Sequence, residues 1–236
     1  MPKFQDLSEY AAALAPIINV AHVNVHAAAA RAVAELAETT GVTPGFLYDL
    51  RFTLPLRPVT RPELATIYRY GDAAEREPSL REHVSQGTLT EDGDGALRLT
   101  AEGLDFVHRL YDLHATAAER VWAGSDLDGL VGRVLDGAER LPGGALELVA
   151  PPYEPEAAAP ELLLFNRLAA FRYHRADAHA AAWQARGLSA SEIVTLTDGP
   201  LHAEIEAETN RRAAAPYRVL SEEQREALYD GLLKLV

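Results

Sequence analysis

The chain has no cysteine, so disulfides, thiolate zinc sites, iron–sulfur clusters and a thiol nucleophile are excluded together. Base is also scarce: 22 Lys+Arg stand against 35 Asp+Glu, a formal net charge of −13. The deficit is even, with 11 bases and 17 acids in residues 1–125 and 11 and 18 in residues 126–236. A general polyanion binder is excluded on that balance, although a local basic patch is not. The start, MPKFQDLSEY, lacks the charged and apolar regions of a secretory signal. Asn19, His22, Asn24 and His26 interrupt the most apolar stretch, Pro16 to Ala30, which reads as too short and too polar to span a bilayer. These absences predict a cytoplasmic protein with no membrane partner.

What is present is helix. With 236 residues and 48% hydrophobic content the chain can bury a sizeable core. A long helix is expected from Leu7 to Thr39, capped by Asp6 or Ser8 and ended by Gly41, with Pro16 marking a kink or boundary. Thr60-Arg61-Pro62-Glu63 is a capping box opening a helix through Tyr70, and a second helix follows from Asp72 to Gln86. Thr88–Thr90 and Ala96–Thr100, joined through Asp92-Gly93-Asp94-Gly95, form a hairpin pattern. Thr100 then caps a helix to Trp122. Helix, helix, hairpin, long helix is the order of a winged helix-turn-helix.

Residues 88–111 resemble the wing and following helix of MarR-type regulators, in which a Leu-Thr-x-x-Gly step closes the wing. Here that step is Leu99-Thr100-Ala101-Glu102-Gly103. A similar wing occurs in the dimerisation domains of small-molecule O-methyltransferases, but no glycine-rich strand–turn–helix for S-adenosylmethionine is present. The resemblance implies a homodimer whose two winged helices respond to a small-molecule ligand. The expected organisation is a mainly α protein: a winged-helix domain over 1–125, a short helix and linker over 126–159, and a C-terminal helical domain over 160–236 packed on the first helix.

DNA recognition meets a local objection. Between Asp72 and Gly95 lie seven acids and two bases, Arg76 and Arg81, where a winged helix would face phosphates. Against this stand Arg51, Arg57, Arg61 and Arg69, of which Arg57, Arg61 and Arg69 are candidate phosphate contacts. The alternative is a solvated arginine face.

Two apolar helices carry unexpected polar residues. Asn19, His22 and His26 share one face of the first helix among Ile17, Ile18, Val20, Val23 and Val25. They read either as a satisfied buried network or as the polar floor of a ligand pocket. In the C-terminal region, Pro160 to Arg186 reads as one helix stopped by Gly187, with capping boxes at Ser189–Glu192 and Ser221–Gln224. His174 and Asp177 fall about 60° apart on it, an acid/base pair or an ordinary ion pair. His179 lies nearer Arg172, Arg175, Trp183 and Arg186. His108 and His114 read as core or dimer-seam residues.

The His22 position, the Arg51-to-Leu56 stretch and His174-Arg-Ala-Asp177-Ala-His179 together resemble an actinobacterial helix-turn-helix family without an assigned activity. There the run is His-Arg-Gly-Asp-Gly-His; alanines replace both glycines here. That resemblance implies a shared site at His22, His174, Asp177 and His179. The expected ligand contacts are therefore Asn19, His22, His26, Phe171, Tyr173, His174, Asp177 and His179. The alternative function is an enzyme of secondary metabolism, with His174 and Asp177 as acid/base pair or His22, His26 and His174 on a divalent metal. No cofactor is named by the sequence.

Overall fold

A computed structural model describes residues 3–236. Helix α1 (Leu7–Thr40) begins where the Asp6 carboxylate accepts from the backbone N–H of Ser8 and Glu9, and ends at Gly41 in the left-handed region. Pro16 lies inside it. An 18-residue window of α1 has mean hydropathy 1.3, so the helix is long and apolar enough to cross a membrane by length and composition alone. This corrects the expectation from Pro16 to Ala30, which took too short a stretch. In the structure Leu14, Ile18, Ala21, Val25 and Val33 of α1 are buried in the protein core.

Next come α2 (Gly45–Leu50), β1 (Val59–Thr60), α3 (Arg61–Ile67) and α4 (Ala73–Ser85). The Thr60–Glu63 capping box opens α3, and Pro78 is accommodated within α4. Strands β2 (Leu89–Glu91) and β3 (Ala96–Leu99) form the hairpin, and β1 pairs antiparallel with β3 to give the order β1-β3-β2. Thr100 caps α5 (Ala101–Trp122) by accepting from Gly103 N–H. A Cβ on Gly103 would lie 2.0 Å from the Thr88 carbonyl oxygen, so the Leu-Thr-x-x-Gly step needs its glycine for helix–hairpin contact.

The rest is helical: α6 (Asp128–Asp136), α7 (Ala145–Val149), α8 (Pro160–Gln184), α9 (Ala190–Thr195), α10 (Pro200–Ala213), a 3₁₀ turn (Ala215–Val219) and α11 (Glu222–Leu233). Helix α8 is the axle, in contact with α1, α5, α6, α7 and α10. Its Leu162, Leu164, Phe165, Leu168, Ala170 and Phe171 are buried in every direction around the helix. The protein is thus mainly helical with a small three-stranded antiparallel sheet. One apolar cluster runs from Tyr10 to Leu232, and Ala180, Trp183, Ile193 and Ile205 form a smaller one. Residues 126–159, expected as a short helix and linker, place Leu127, Val131, Val134, Leu146 and Val149 in the main core. Apolar side chains there follow short helices that reach back onto α8.

Candidate functional site

Phe165 of α8 organises a buried polar centre between α1, α5 and α2. His22 and His114 stack on it at 5.0 Å with interplanar angles of 14° and 25°, and His26 meets it edge-on. The Arg51 guanidinium sits 4.7 Å from the ring centre. The three imidazoles form one hydrogen-bonded chain: His22 Nε2 to His26 Nε2 at 3.2 Å, and His26 Nδ1 to His114 Nε2 at 3.2 Å. Its ends fix every proton. His114 Nδ1 faces the Leu110 carbonyl at 2.8 Å, which only accepts, so Nδ1 carries the hydrogen. His114 Nε2 therefore accepts from His26 Nδ1–H, and His26 Nε2 accepts from His22 Nε2–H. That leaves His22 Nδ1 to accept from Arg172, whose guanidinium lies 2.9 Å away.

All three rings are neutral in this arrangement. Burial is the largest cause holding the His22 and His114 pKa values well below the usual range, with neighbouring charges adding to it. His26 is lowered to about 3 by burial and then by Arg51 and Arg172. Arg51 is itself 1% exposed, donates to the Tyr48 carbonyl at 2.6 Å, and leaves Nε and its second terminal nitrogen without partners.

Arg172 joins this centre to a cleft of about 390 Å³ between α1, α8 and α10. Ala11, Ala15, Ile18, Phe171 and Tyr217 give the cleft an apolar side; Asn19, Arg172, His174, Arg175, His179 and Glu206 give it a polar one. The volume lies in the range of small-molecule sites. His174 is 8% exposed, stacks on Phe171 at 5.5 Å, and its Nε2 is buried without a partner. Burial lowers its pKa, against the pull of Asp177. His179 Nδ1 lies 2.9 Å from the Tyr70 hydroxyl, which also accepts from Trp183 Nε1 at 3.2 Å.

No protein family, curated protein or solved structure matches the chain. The site therefore rests on its own geometry.

The cleft unites four of the expected ligand contacts, Asn19, Phe171, His174 and His179. It does not include the other four. His22 and His26 belong to the imidazole chain behind Arg172, and Tyr173 packs towards Phe52 instead. Asp177 is turned away: its oxygens accept from Ala145 N–H at 2.9 Å, Leu146 N–H at 2.8 Å and Arg69 at 2.6 Å. The i,i+3 spacing set Asp177 beside His174 on the helix, but α7 and Arg69, in the turn after α3, claim its carboxylate. The expected His174–Asp177 acid/base pair is thus not hydrogen-bonded together. Nor do His22, His26 and His174 converge on a metal, since His114 is the third ring of the chain; among the described residues no group of three or more His, Cys, Asp or Glu is placed to hold one.

The candidate DNA-contacting arginines are engaged internally. Arg57 donates to the Leu148 and Glu147 carbonyls, Arg61 pairs with Glu77 and Glu91, and Arg69 pairs with Asp177. Sequence reasoning set Arg172 on a basic helix face without naming it as a ligand contact, and missed His114 and Glu206 as members of the site. The signal for His114 was its four-residue spacing from Leu110, which permits the carbonyl contact; nothing local pairs it with His26.

Proposed function

We propose that the protein binds a small organic molecule in the cleft between α1, α8 and α10, on a winged-helix scaffold of MarR type that lacks DNA recognition. The observation carrying this reading is the cavity itself, large enough for a metabolite and walled by the half-apolar, half-polar set that includes the buried His174 ring. The winged-helix reading is supported by the order α2, β1, α3, α4, β2, β3 and by the central place of β3 in the sheet. Loss of DNA recognition is supported by the internal pairing of Arg57, Arg61 and Arg69.

A second reading has its own observation. His174 lines the cleft as a neutral imidazole, a side chain of the general-base type, although burial weakens it as a base. The two readings separate on whether a bound compound is returned unchanged.

The test is a fragment screen followed by the imidazole resonances of His174 and His179, with Ala15→Phe as the blocking variant. Ala15 lines the cleft, so the added ring fills it. Fragments that shift His174 in the natural protein are expected to raise its stability by about 2–3 kcal/mol at a hundredfold excess over Kd, and to lose both effects in the variant. Equal shifts in Ala15→Phe would overturn the cleft as the binding site.

A further inference from the structure

The cleft carries positive charge in a protein whose net charge is −13. Its charged lining residues are Arg172, Arg175 and Glu206. Arg175 donates to Glu206 at 2.9 Å and to Asn210 at 2.8 Å, so that acid is already balanced. Arg172 is different. Among the described residues it makes no ion pair, and its hydrogen bond goes to the neutral His22 Nδ1. An imidazole nitrogen orients a guanidinium without neutralising it. Asp49 acts on Arg172 only through space, without an ion pair, so the cleft lining itself, Arg172 and Arg175 against Glu206, keeps one net positive charge.

The orientation is unusually firm. A guanidinium has five N–H donors in a planar fork. One terminal nitrogen is tied through His22, His26 and His114 to the Leu110 carbonyl, a strut of stacked rings rather than a flexible side chain. The remaining donors are available to an acceptor in the cleft. Preorganised donors bind a planar carboxylate at lower entropic cost than a mobile arginine does. The lining's net charge, two arginines against one glutamate, matches a guest of one negative charge. Ala11, Ala15, Ile18, Phe171 and Tyr217 supply the surface for an apolar body.

We propose that the cleft binds small monoanionic carboxylic acids with an apolar body, with the carboxylate on Arg172 and His22 as the residue that positions its guanidinium. The inference rests on the reading of this cleft as a ligand site. Arg172 contacts the ligand, whereas His22 acts through it.

Matched acids and amides test the proposal: phenylacetate and phenylacetamide, naphthylacetate and naphthylacetamide, octanoate and octanamide, with inorganic phosphate as an anion lacking a body. Calorimetric titration near neutral pH measures affinity, and the His174 imidazole resonances report occupancy of the cleft. Acids are expected to bind about tenfold or more tightly than their amides, since a charged hydrogen-bonded pair is at stake. Arg172→Gln, at an exposed position, should bring each pair within about twofold. His22→Phe keeps the stack on Phe165 and removes the acceptor; it should narrow the acid preference while leaving amide affinity nearly unchanged. Should His22→Phe fail to fold, Arg172→Gln alone still decides the carboxylate contact. Amides that bind as well as acids, a preference that survives Arg172→Gln, or phosphate that binds as tightly as the acids would each overturn the inference while leaving the cleft a ligand site. If neither acids nor amides move the His174 resonances, the cleft reading falls with it.

Discussion

At the scale of single residues, the chain of His22, His26 and His114 shows how a donor-only group at one end and an acceptor-only group at the other dictate every tautomer between them. The same arrangement sets a pH dependence. Burial lowers the folded pKa of all three rings below the 6.5 of an unperturbed histidine, to about 3 for His26. The unfolded chain therefore binds more protons on the acid side, and stability rises with pH. It is complete above about pH 6.5 and lost progressively as pH falls towards the folded values. The three rings contribute a loss of about 4 kcal/mol between about pH 7.5 and about pH 5.5, measurable as a shift in the urea midpoint, and His83, His174 and His179, also lowered by burial, add to it in the same direction. His114→Phe keeps a ring against Phe165 and should remove about a third of the three rings' share. A pH-independent midpoint in the natural protein would show that the rings are not held neutral.

Helices and strands were legible where their signals are local. Asp6, Thr60 with Glu63, Thr100, Ser189 with Glu192, and Ser221 with Gln224 all cap the helices their spacing announces, because a cap needs only the next three residues. Helix α7 had no such signal. Gly144, its first flanking residue, offers no side chain, and the cap comes from Asp177, 32 residues away from Ala145. A Cβ on Gly144 would lie 2.8 Å from that carboxylate, so glycine is what admits it. The candidate site was half legible for the same reason. Helical spacing put Phe171 and His174 on one face and His179 on another, yet all three line the cleft, and which neighbour receives Asp177 or His22 is decided by tertiary contact. Asp177→Asn tests the cap directly. It keeps the shape but removes the charge opposite Arg69 and one acceptor, leaving the Arg69 side chain, 16% exposed, without its counter-ion. The expected cost is about 3 kcal/mol in chemical denaturation, as for other broken buried pairs. A loss below about 1 kcal/mol would place the pair among surface salt bridges instead.

Over the whole molecule, charge opposes the function that the topology suggests. Contact with a duplex gains affinity by releasing counterions from phosphates, and needs cations free to replace them. The arginines ahead of α4 are not free: Arg51 is buried under Phe165, Arg57 and Arg69 bind elements of the C-terminal half, and Arg61 is held between Glu77 and Glu91. The hairpin adds Asp92, paired with Arg98, and Asp94. Arg57 and Arg69 thus join the N-terminal half to the rest of the chain rather than presenting a phosphate-binding face. The DNA immediately upstream of the coding sequence should consequently show no retardation by this protein, even at about 50 mM salt where electrostatic binding is strongest. Replacing Glu77, Glu91, Asp92 and Asp94 by their amides releases Arg61 and Arg98 and removes four repulsive charges. That variant should gain weak, non-specific retardation that disappears by about 200 mM salt. Retardation by the natural protein with the same steep salt dependence would mean that the internal pairs open to meet phosphate, and would restore the regulator that the sheet topology suggests.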